Sequence, residues 1–346
     1  METASDQKRA SVQRGDLDGE PTWVLTHPDG ARLEVAERGA TLLSWQAPGA
    51  DGTPVDLVDG YLSAAELSAQ DGYRGAVLAP WTNRVRGASY SFDGAEHRLE
   101  PAATGRDEAL HGLLTQARWR RAAATFSDSD RMLRLTATID PDTYPGYPFS
   151  LEVTATYSLG LGSEGESRLG LELVAVNTGE APAPVALGWH PYLRLPGHET
   201  IDDLVLEIPA RSRVLTDFSL IPLPGEQAYA GVAAPVRYAP LGGTRLDDAF
   251  THLVPDDGGV VATVLRSTRT GESLTVEQEP VQATVVHVFT GDALVRGARA
   301  SVAVEPCQTM ADAFNRPDSA DAVVLAPGQA RQLVSDIVYR RPEGQA

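Results

Sequence analysis

The hydrophobic residues of this chain recur mostly at every second position, which is the spacing of a strand with one buried face. The alternation is clear in five runs, at residues 32–35, 133–138, 151–157, 169–174 and 333–339. Helical spacing is confined to two short segments, at residues 62–69 and 312–314. The pattern predicts an all-β protein of mostly antiparallel strands, arranged as a sandwich or a barrel.

Clusters of Gly, Pro and Asp separate the predicted strands. Three of them, at residues 28–30, 92–94 and 256–259, have the composition of hairpin turns. The glycines of residues 160–165 have the spacing of a dinucleotide-binding loop, but a strand follows them where such a loop needs a helix N-terminus. We interpret this segment as a hairpin turn as well.

Strand-like segments continue to residue 339 without an internal repeat or a low-complexity linker. The simplest organisation is a single domain that covers residues 21–340. Residues 1–20 are polar and charged, and we expect them to form a disordered N-terminal arm.

The composition narrows the classes of function. The 346 residues carry a formal net charge of −18, which argues against a nucleic-acid partner. Cys307 is the sole cysteine, so an intrachain disulfide and a cysteine-rich zinc site are excluded. No segment has the apolar length of a signal peptide core or a membrane span. We expect a cytoplasmic protein, monomeric or homodimeric, without membrane association.

A single carboxylate, Glu305, stands at the end of the apolar run 302–304 and directly before Pro306. Partial burial at the end of such a strand would raise the pKa of the carboxyl group toward the range of a general base. The alternative is a structural glutamate that accepts hydrogen bonds from backbone N–H groups.

Polar residues follow two other apolar segments. Asn83 and Arg84 come after residues 76–80 and offer an amide and a planar guanidinium, which suits two adjacent oxygens of a small ligand. A structural Arg–carboxylate pair is the alternative. His190 follows the strand-like residues 185–187 and lies beside aromatic Tyr192, a surface on which sugar rings stack.

His111 precedes a glycine that allows close backbone approach, and it is the second candidate histidine. Either imidazole could instead be structural. Five further histidines occur in ordinary strand or turn contexts, and we interpret them as structural: His27, His97, His198, His252 and His287.

Two adjacent carboxylates, Asp247 and Asp248, precede Phe250. Neighbouring side chains of an extended strand point to opposite faces, so at most one of the two can reach a shared pocket. A solvated turn is the alternative.

Five short motifs, in this order, resemble the aldose 1-epimerase (galactose mutarotase) family: Asn83-Arg84, His111-Gly112, His190-Pro191-Tyr192, Asp247-x-x-Phe250 and Glu305-Pro306. The resemblance implies a large antiparallel β-sandwich, sometimes called a supersandwich, with a shallow sugar cleft and no cofactor. It also implies a reaction, the interconversion of α and β anomers of a free aldose such as glucose or galactose.

The resemblance assigns Glu305 as the general base at the anomeric hydroxyl and His190 as the general acid at the ring oxygen. These roles suit the groups, since a carboxylate stays ionised at neutral pH while a histidine with an ordinary pKa of about 6.5 can supply a proton. The other matched residues are expected to bind the sugar: Arg84, His111, Asp247, Asn83 and Tyr192. Tyr192 is followed by Leu193 and Arg194 where the family often has Phe-Asn, so the sugar itself is left open.

Three alternatives remain. A hexose-phosphate mutarotase would need an additional cation near the cleft, for which Arg86 and Arg194 are candidates. A sugar-binding protein without turnover would not need both the acid and the base. A glycosidase would use Glu305 and Asp247 as a carboxylate pair separated by roughly 5–10 Å.

Overall fold

The computed structural model describes residues 11–49, 51–102, 107–126, 130–162 and 166–342. Antiparallel strands dominate these residues, and they form three large sheets of five, nine and eight strands. The predicted all-β, antiparallel architecture is confirmed. No helix in the described part of the chain has the length and apolar character needed to cross a membrane.

The five-stranded sheet comprises, in spatial order, Ser11–Leu17, Glu20–Thr26, Arg32–Ala36, Leu42–Pro48 and Pro54–Asp56. Its first strand corrects the prediction that residues 1–20 are a disordered arm. Asp18 (φ 52°) and Gly19 (φ 91°) form a tight two-residue turn that pairs Leu17 with Glu20. Such a turn suits an Asp-Gly pair, because both positions need positive φ. Residues 1–10 of the predicted arm lie outside the described residues.

The nine-stranded sheet comprises, in spatial order, Arg120–Phe126, Asp130–Ile139, Leu151–Leu161, Glu166–Asn177, Ala330–Arg340, Ser273–Gln278, Val261–Ser267, Leu204–Ile208 and Val236–Tyr238. The predicted turn at 160–165 falls partly on residues 163–165, which lie outside the described residues. The strands on its two sides are antiparallel neighbours, with Leu161 opposite Ser167.

The eight-stranded sheet contains, in spatial order, Tyr229–Gly231, Ala210–Val214, Asp247–Leu253, Val285–Phe289, Val302–Cys307, Gly188–His190 and Ala76–Leu78, with Tyr192–Leu193 also paired to Val302–Cys307. Every residue of the three strands Val302–Cys307, Gly188–His190 and Ala76–Leu78 is buried. Both faces of the middle of this sheet are therefore covered.

Short elements connect the sheets. The small strand pairs are Arg84–Val85 with Ala109–Leu110, Ser89–Phe92 with Ala95–Arg98, and Ala183–Pro184 with Val324–Leu325. The α-helices are Ala64–Ala69 and Ala320–Val323, and the 3₁₀ segments are Asp71–Tyr73, Arg86–Ala88, Gly225–Ala228, Ala313–Asn315 and Pro317–Ser319. The two predicted helical segments thus contain a helix and a 3₁₀ turn.

Two of the three predicted hairpin turns, 28–30 and 92–94, are confirmed. The turn at 256–259 instead joins strands of different sheets, Asp247–Leu253 and Val261–Ser267. Asp256 Oδ1 accepts the N–H groups of Gly258 and Val260, so the local chain reversal is as expected. The turn residues determine that the chain reverses its direction. They do not determine which strand pairs with the strand that follows the turn.

The main apolar core joins all three sheets. It includes Trp45 of the five-stranded sheet, Leu173 of the nine-stranded sheet and Val304 of the eight-stranded sheet in one contiguous cluster. Hydrogen bonds support this packing: the Tyr157 hydroxyl donates to the Ala40 carbonyl (2.7 Å), and Gln278 Nε2 donates to the Val285 carbonyl (3.2 Å). The eight-stranded sheet packs one face on this core. We call the opposite face, which is directed away from the main core, the outward face.

A buried ion cluster stabilises the segments beside the eight-stranded sheet. Asp59 binds the guanidinium of Arg74, and its Oδ1 lies 2.9 Å from Arg296 Nη1. Ser301 Oγ donates to Asp59 Oδ2 (2.9 Å). Burial would raise the pKa of the Asp59 carboxyl, but the two guanidinium groups outweigh it and the pKa lies below its usual value. Arg74 is 1% exposed, so its charge depends on this carboxylate.

We expect Asp59→Asn to lower the free energy of unfolding by about 3–5 kcal/mol, because it leaves the buried Arg74 charge without its carboxylate partner. Urea unfolding followed by tryptophan fluorescence measures this loss. Asp56→Asn is the matched control, since Asp56 pairs with Arg194 (3.1 Å) at a site where both side chains are about 40% exposed. Its effect should stay below about 1 kcal/mol. Equal losses in the two variants would contradict the assigned importance of the cluster.

Candidate active site

Four polar side chains form a row on the outward face of the eight-stranded sheet. In Val302–Cys307, Val302 and Val304 join the main core, so the pleat directs Glu305 to the opposite face. The next strand places His287 directly opposite Glu305. We call the set Asp247, His287, Glu305 and His190 the carboxylate–imidazole row; its members come from four adjacent strands.

The row lies at a cleft of about 170 Å³, which is smaller than the usual pocket for drug-sized molecules and suits a small ligand. Six of the seven sequence-predicted site residues line this cleft: Asn83, Arg84, His111, His190, Asp247 and Glu305. The remaining lining residues are Gly72, Tyr73, Leu110, His287 and Phe289.

Glu305 and His190 form a close buried pair. His190 Nε2 lies 3.3 Å from Glu305 Oε1, and the two residues are 4% and 1% exposed. Among the described residues, neither Glu305 Oε2 nor His190 Nδ1 has a hydrogen-bond partner. Burial raises the pKa of Glu305 to about 7 and lowers the pKa of His190 to about 3. His190 is therefore neutral at neutral pH, and the exchangeable proton of the pair, when present, is on Glu305. This differs from the ordinary pKa that the sequence predicts for His190.

His111, the second candidate histidine, lines the cleft from a backbone segment with positive φ angles. His111 has φ 59° and Gly112 has φ 84°, and a Cβ on Gly112 would lie 2.1 Å from the Ala79 carbonyl oxygen. This close approach places the His111 ring edge-on to the His190 ring, with centroids 5.1 Å apart. Burial holds the pKa of His111 well below its usual value, so its imidazole is neutral.

Asn83 and Arg84 form one wall of the cleft. Asn83 has φ 54°, and its Oδ1 accepts from the Arg84 backbone N–H (2.9 Å) and from Arg84 Nη1 (3.1 Å). The guanidinium lies between two carboxylates, 3.7 Å from Glu108 and 3.9 Å from Asp247. These distances are longer than direct hydrogen bonds, so Arg84 is ion-paired but retains N–H groups for a ligand. The backbone N–H of His111 also donates to the Asn83 carbonyl (2.9 Å).

The two adjacent aspartates point to opposite faces, as their spacing predicts. Asp248 accepts from Arg213 Nε (2.9 Å) away from the cleft, while Asp247 Oδ1 lies 2.9 Å from His287 Nε2 inside it. Burial would raise the pKa of Asp247, but His287 and Arg84 outweigh it, so the pKa lies below its usual value. Asp247 is therefore ionised at neutral pH.

Tyr192 lies behind His190 instead of lining the cleft. Its ring stacks on the His190 ring at 5.2 Å with an interplanar angle of 9°, and the Arg74 guanidinium lies 5.1 Å from the centre of the Tyr192 ring. The Tyr192 hydroxyl donates to the Gly72 carbonyl (2.8 Å). The side chain is 1% exposed. This placement differs from the predicted sugar contact and makes Tyr192 a support for the imidazole.

Of the five lining residues that sequence reasoning missed, His287 and Tyr73 have ionisable side chains. His287 was interpreted as structural, although a lone polar residue within Val285–Phe289 is a signal for a strand face that is not core. Tyr73 lies in the 3₁₀ segment Asp71–Tyr73, and its ring contacts the His111 ring with centroids 4.6 Å apart. No sequence pattern marks Tyr73, because its approach depends on a turn with φ 51°.

The two arginines proposed for a phosphate group do not line the cleft. Arg86 pairs with Asp217 (2.8 Å) and Arg194 pairs with Asp56 (3.1 Å). The two carboxylates of the glycosidase alternative, Glu305 and Asp247, stand two strands apart in the sheet, with His287 on the strand between them. Within the described residues, no group of three or more His, Cys, Asp or Glu side chains is arranged to hold a metal ion.

Comparison with known proteins gives three further findings. The sequence pattern of the aldose 1-epimerase family matches residues 21–337. The chain is 27% identical over 267 residues to an uncharacterized protein, YihR, of Escherichia coli (strain K12), which covers 77% of this chain and 79% of that protein. It is 29% identical over 228 residues to the aldose 1-epimerase of the same organism, covering 64% of this chain and 62% of that enzyme, which is less than two thirds of the enzyme's length.

A solved structure shows the same fold. A galactose mutarotase-like protein from Clostridium acetobutylicum superposes with a TM-score of 0.80 at 11% sequence identity, covering 96% of this chain and 99% of that one. The expected mutarotase-like β-sandwich is confirmed by this likeness.

The buried carboxyl group of Glu305 makes the free energy of unfolding depend on pH. Between its ordinary pKa of 4.5 and its folded pKa of about 7, the unfolded chain releases a proton that the folded chain retains. Stability therefore falls as the pH rises through this range, by roughly 3 kcal/mol at most. We expect Glu305→Gln, which imitates the protonated carboxyl group, to be more stable than the wild type at pH 8, with a much smaller difference at pH 5.

Urea unfolding of both proteins at the two pH values measures this effect. Glu226→Gln serves as the control, because Glu226 is exposed and its replacement should give the same small difference at both pH values. A Glu305→Gln effect that does not change with pH would show that the carboxyl group is not buried as described.

Proposed function

The chain belongs to the aldose 1-epimerase family, and from that premise we propose that it interconverts the α and β anomers of a free aldohexose such as glucose or galactose. The observation that carries the proposal is the buried Glu305–His190 pair, in which a carboxyl group with a pKa of about 7 contacts an imidazole at a polar cleft. A strongly shifted acid–base pair in a cleft favours catalysis over mere sugar binding.

In the proposed reaction, the anomeric hydroxyl of the sugar donates a hydrogen bond to Glu305. A hydrogen bond to the carboxylate favours its ionised form, so the proton of the pair moves to His190. Glu305 then removes the proton of the anomeric hydroxyl while His190 protonates the ring oxygen, and the bond between that oxygen and C1 breaks. Rotation about the C1–C2 bond of the open-chain aldehyde, followed by the reverse proton transfers, gives the other anomer.

The wall of the cleft supplies the contacts to the remaining hydroxyls. We propose that Arg84 donates to ring hydroxyls and that Asp247 accepts from them, because both face the cleft and their mutual distance of 3.9 Å leaves hydrogen-bonding capacity on each. His111 and Asn83 complete the polar lining beside them. Tyr192 holds the His190 ring from behind and makes no sugar contact in this proposal.

We expect Glu305→Gln to lower kcat by roughly a hundred-fold to ten-thousand-fold, which is the usual contribution of a positioned proton-transfer group. Polarimetry of freshly dissolved α-D-glucose and α-D-galactose, corrected for spontaneous mutarotation, measures the rate. Glu226→Gln should keep the wild-type rate. A folded Glu305→Gln protein with full activity would refute the assignment of the base, and an inactive wild type would refute the reaction on these sugars.

We expect Arg84→Ala to raise KM by roughly ten-fold to a hundred-fold with little change in kcat, since a charge-assisted hydrogen bond contributes about 1.5–3 kcal/mol to binding. Arg86→Ala is the matched control. Arg86 lies two residues further along the chain, is about half exposed, and pairs with Asp217 outside the cleft. A large loss of kcat at unchanged KM in Arg84→Ala would instead indicate a contact made in the transition state.

A further inference from the structure

The carboxylate–imidazole row alternates in chemical type along four strands: Asp247, His287, Glu305 and His190. The proposed reaction uses the Glu305–His190 end for proton transfer and Asp247 for binding, but it gives His287 no task. His287 is 12% exposed at its side chain, lines the cleft and stands directly opposite Glu305. Paired positions on one face of two strands bring side chains within interacting distance.

Asp247 fixes the orientation of His287. Its Oδ1 lies 2.9 Å from His287 Nε2, while its Oδ2 lies 3.9 Å from the Arg84 guanidinium. A carboxylate that accepts from an imidazole N–H favours the protonated ring. Asp247 therefore favours an ion pair, with negative charge on Asp247 and positive charge on His287.

His287, the positive member of this ion pair, lies nearer to Glu305 than Asp247 does. His287 is on the strand next to Glu305, whereas Asp247 is one strand further away, and each step between strands is about 4.8 Å. The guanidinium of Arg84 lies between Glu108 and Asp247, and the guanidinium of Arg74 is bound to Asp59 behind Tyr192. The other titratable groups around the row are His111, Tyr73, Tyr192 and Cys307.

We propose that His287 is a positioning residue: held by Asp247 as a cation directly opposite Glu305, it favours the ionised form of Glu305, which is the form that removes the proton of the anomeric hydroxyl. This inference rests on the proposed mutarotase mechanism. Once the sugar is bound and the proton of the pair has moved to His190, the order of charges along the row is negative, positive, negative, positive. Each charge in this reactive form has neighbours of opposite sign.

The titration behaviour agrees with this arrangement. Burial alone would lower the pKa of His287, but the carboxyl groups of Glu305 and Asp247 outweigh it and the pKa lies above its usual value. In the opposite direction, His287 lowers the pKa of Glu305, against the larger effect of burial. His287 also lowers the pKa of His190, which is one strand further away. Without the His287 charge, the Glu305–His190 pair would therefore hold its proton more tightly.

The test is His287→Gln, in which an amide N–H can still donate to Asp247 but carries no charge. The pH profile of kcat/KM reports the free protein, so its limb near pH 7 belongs to the Glu305–His190 pair. We expect the midpoint of that limb to rise by about one pH unit in His287→Gln, and we expect kcat to fall by roughly ten-fold. His198→Gln is the matched control, since His198 pairs with Asp203 (2.8 Å) away from the cleft, and its limb should not move.

A second measurement does not depend on activity. In NMR spectra of the ¹⁵N-histidine protein without sugar, the signals absent from His287→Gln identify His287. These signals should change at a higher pH than those of an ordinary histidine, and Asp247→Asn should lower the pH at which they change. A neutral His287 at pH 6, or an active His287→Gln protein with an unmoved limb, would overturn the inference. A charged His287 in a protein that accelerates no anomerisation would overturn the proposed function instead.

Discussion

The whole arrangement depends on the pleat of one central strand. In Val302–Cys307 the alternate residues Val302 and Val304 enter the main core, while Glu305 faces the cleft. The same alternation on the neighbouring strands sends Val288 inward and His287 outward. A shift of one residue in any of these strands would bury the polar side chain in the core and expose a valine, which is why the register is strongly specified.

Burial of the site has an energetic cost that the structure offsets in two places. The first is the ion cluster of Asp59, Arg74 and Arg296, in which the buried Arg74 supports the ring of Tyr192. Tyr192 in turn supports the ring of His190. The second is the row itself, where carboxyl and imidazole groups neutralise one another. Glu305 Oε2 and His190 Nδ1 lack partners among the described residues, and such polar atoms are typical of a site that binds a polar ligand.

The sequence predicts the strands, the antiparallel class and six of the residues around the cleft, because alternation, turn residues and short motifs are local signals. It does not predict His287, whose importance depends on which strand lies beside Glu305. That neighbour relation joins residues 285–289 to residues 302–307 through pairing, and no local pattern encodes it. Tyr192 shows the opposite error, since the sequence predicts that this aromatic contacts the sugar, whereas it lies behind the His190 ring. The strand at Ser11–Leu17 was missed because its polar composition concealed an Asp-Gly turn.

The backbone link between Asn83 and His111 has an evolutionary consequence. The His111 N–H donates to the Asn83 carbonyl, and both residues hold positive φ, so the two loops are held together by main-chain atoms. Side chains on these loops can therefore be exchanged while the loops keep their places. In the proposed reaction, the strands beneath supply the proton-transfer groups and Asp247, and these loops supply the other contacts to the ring hydroxyls. Under that proposal, substitutions on the loops would change which sugar is accepted, while the proton-transfer residues on the strands stay the same.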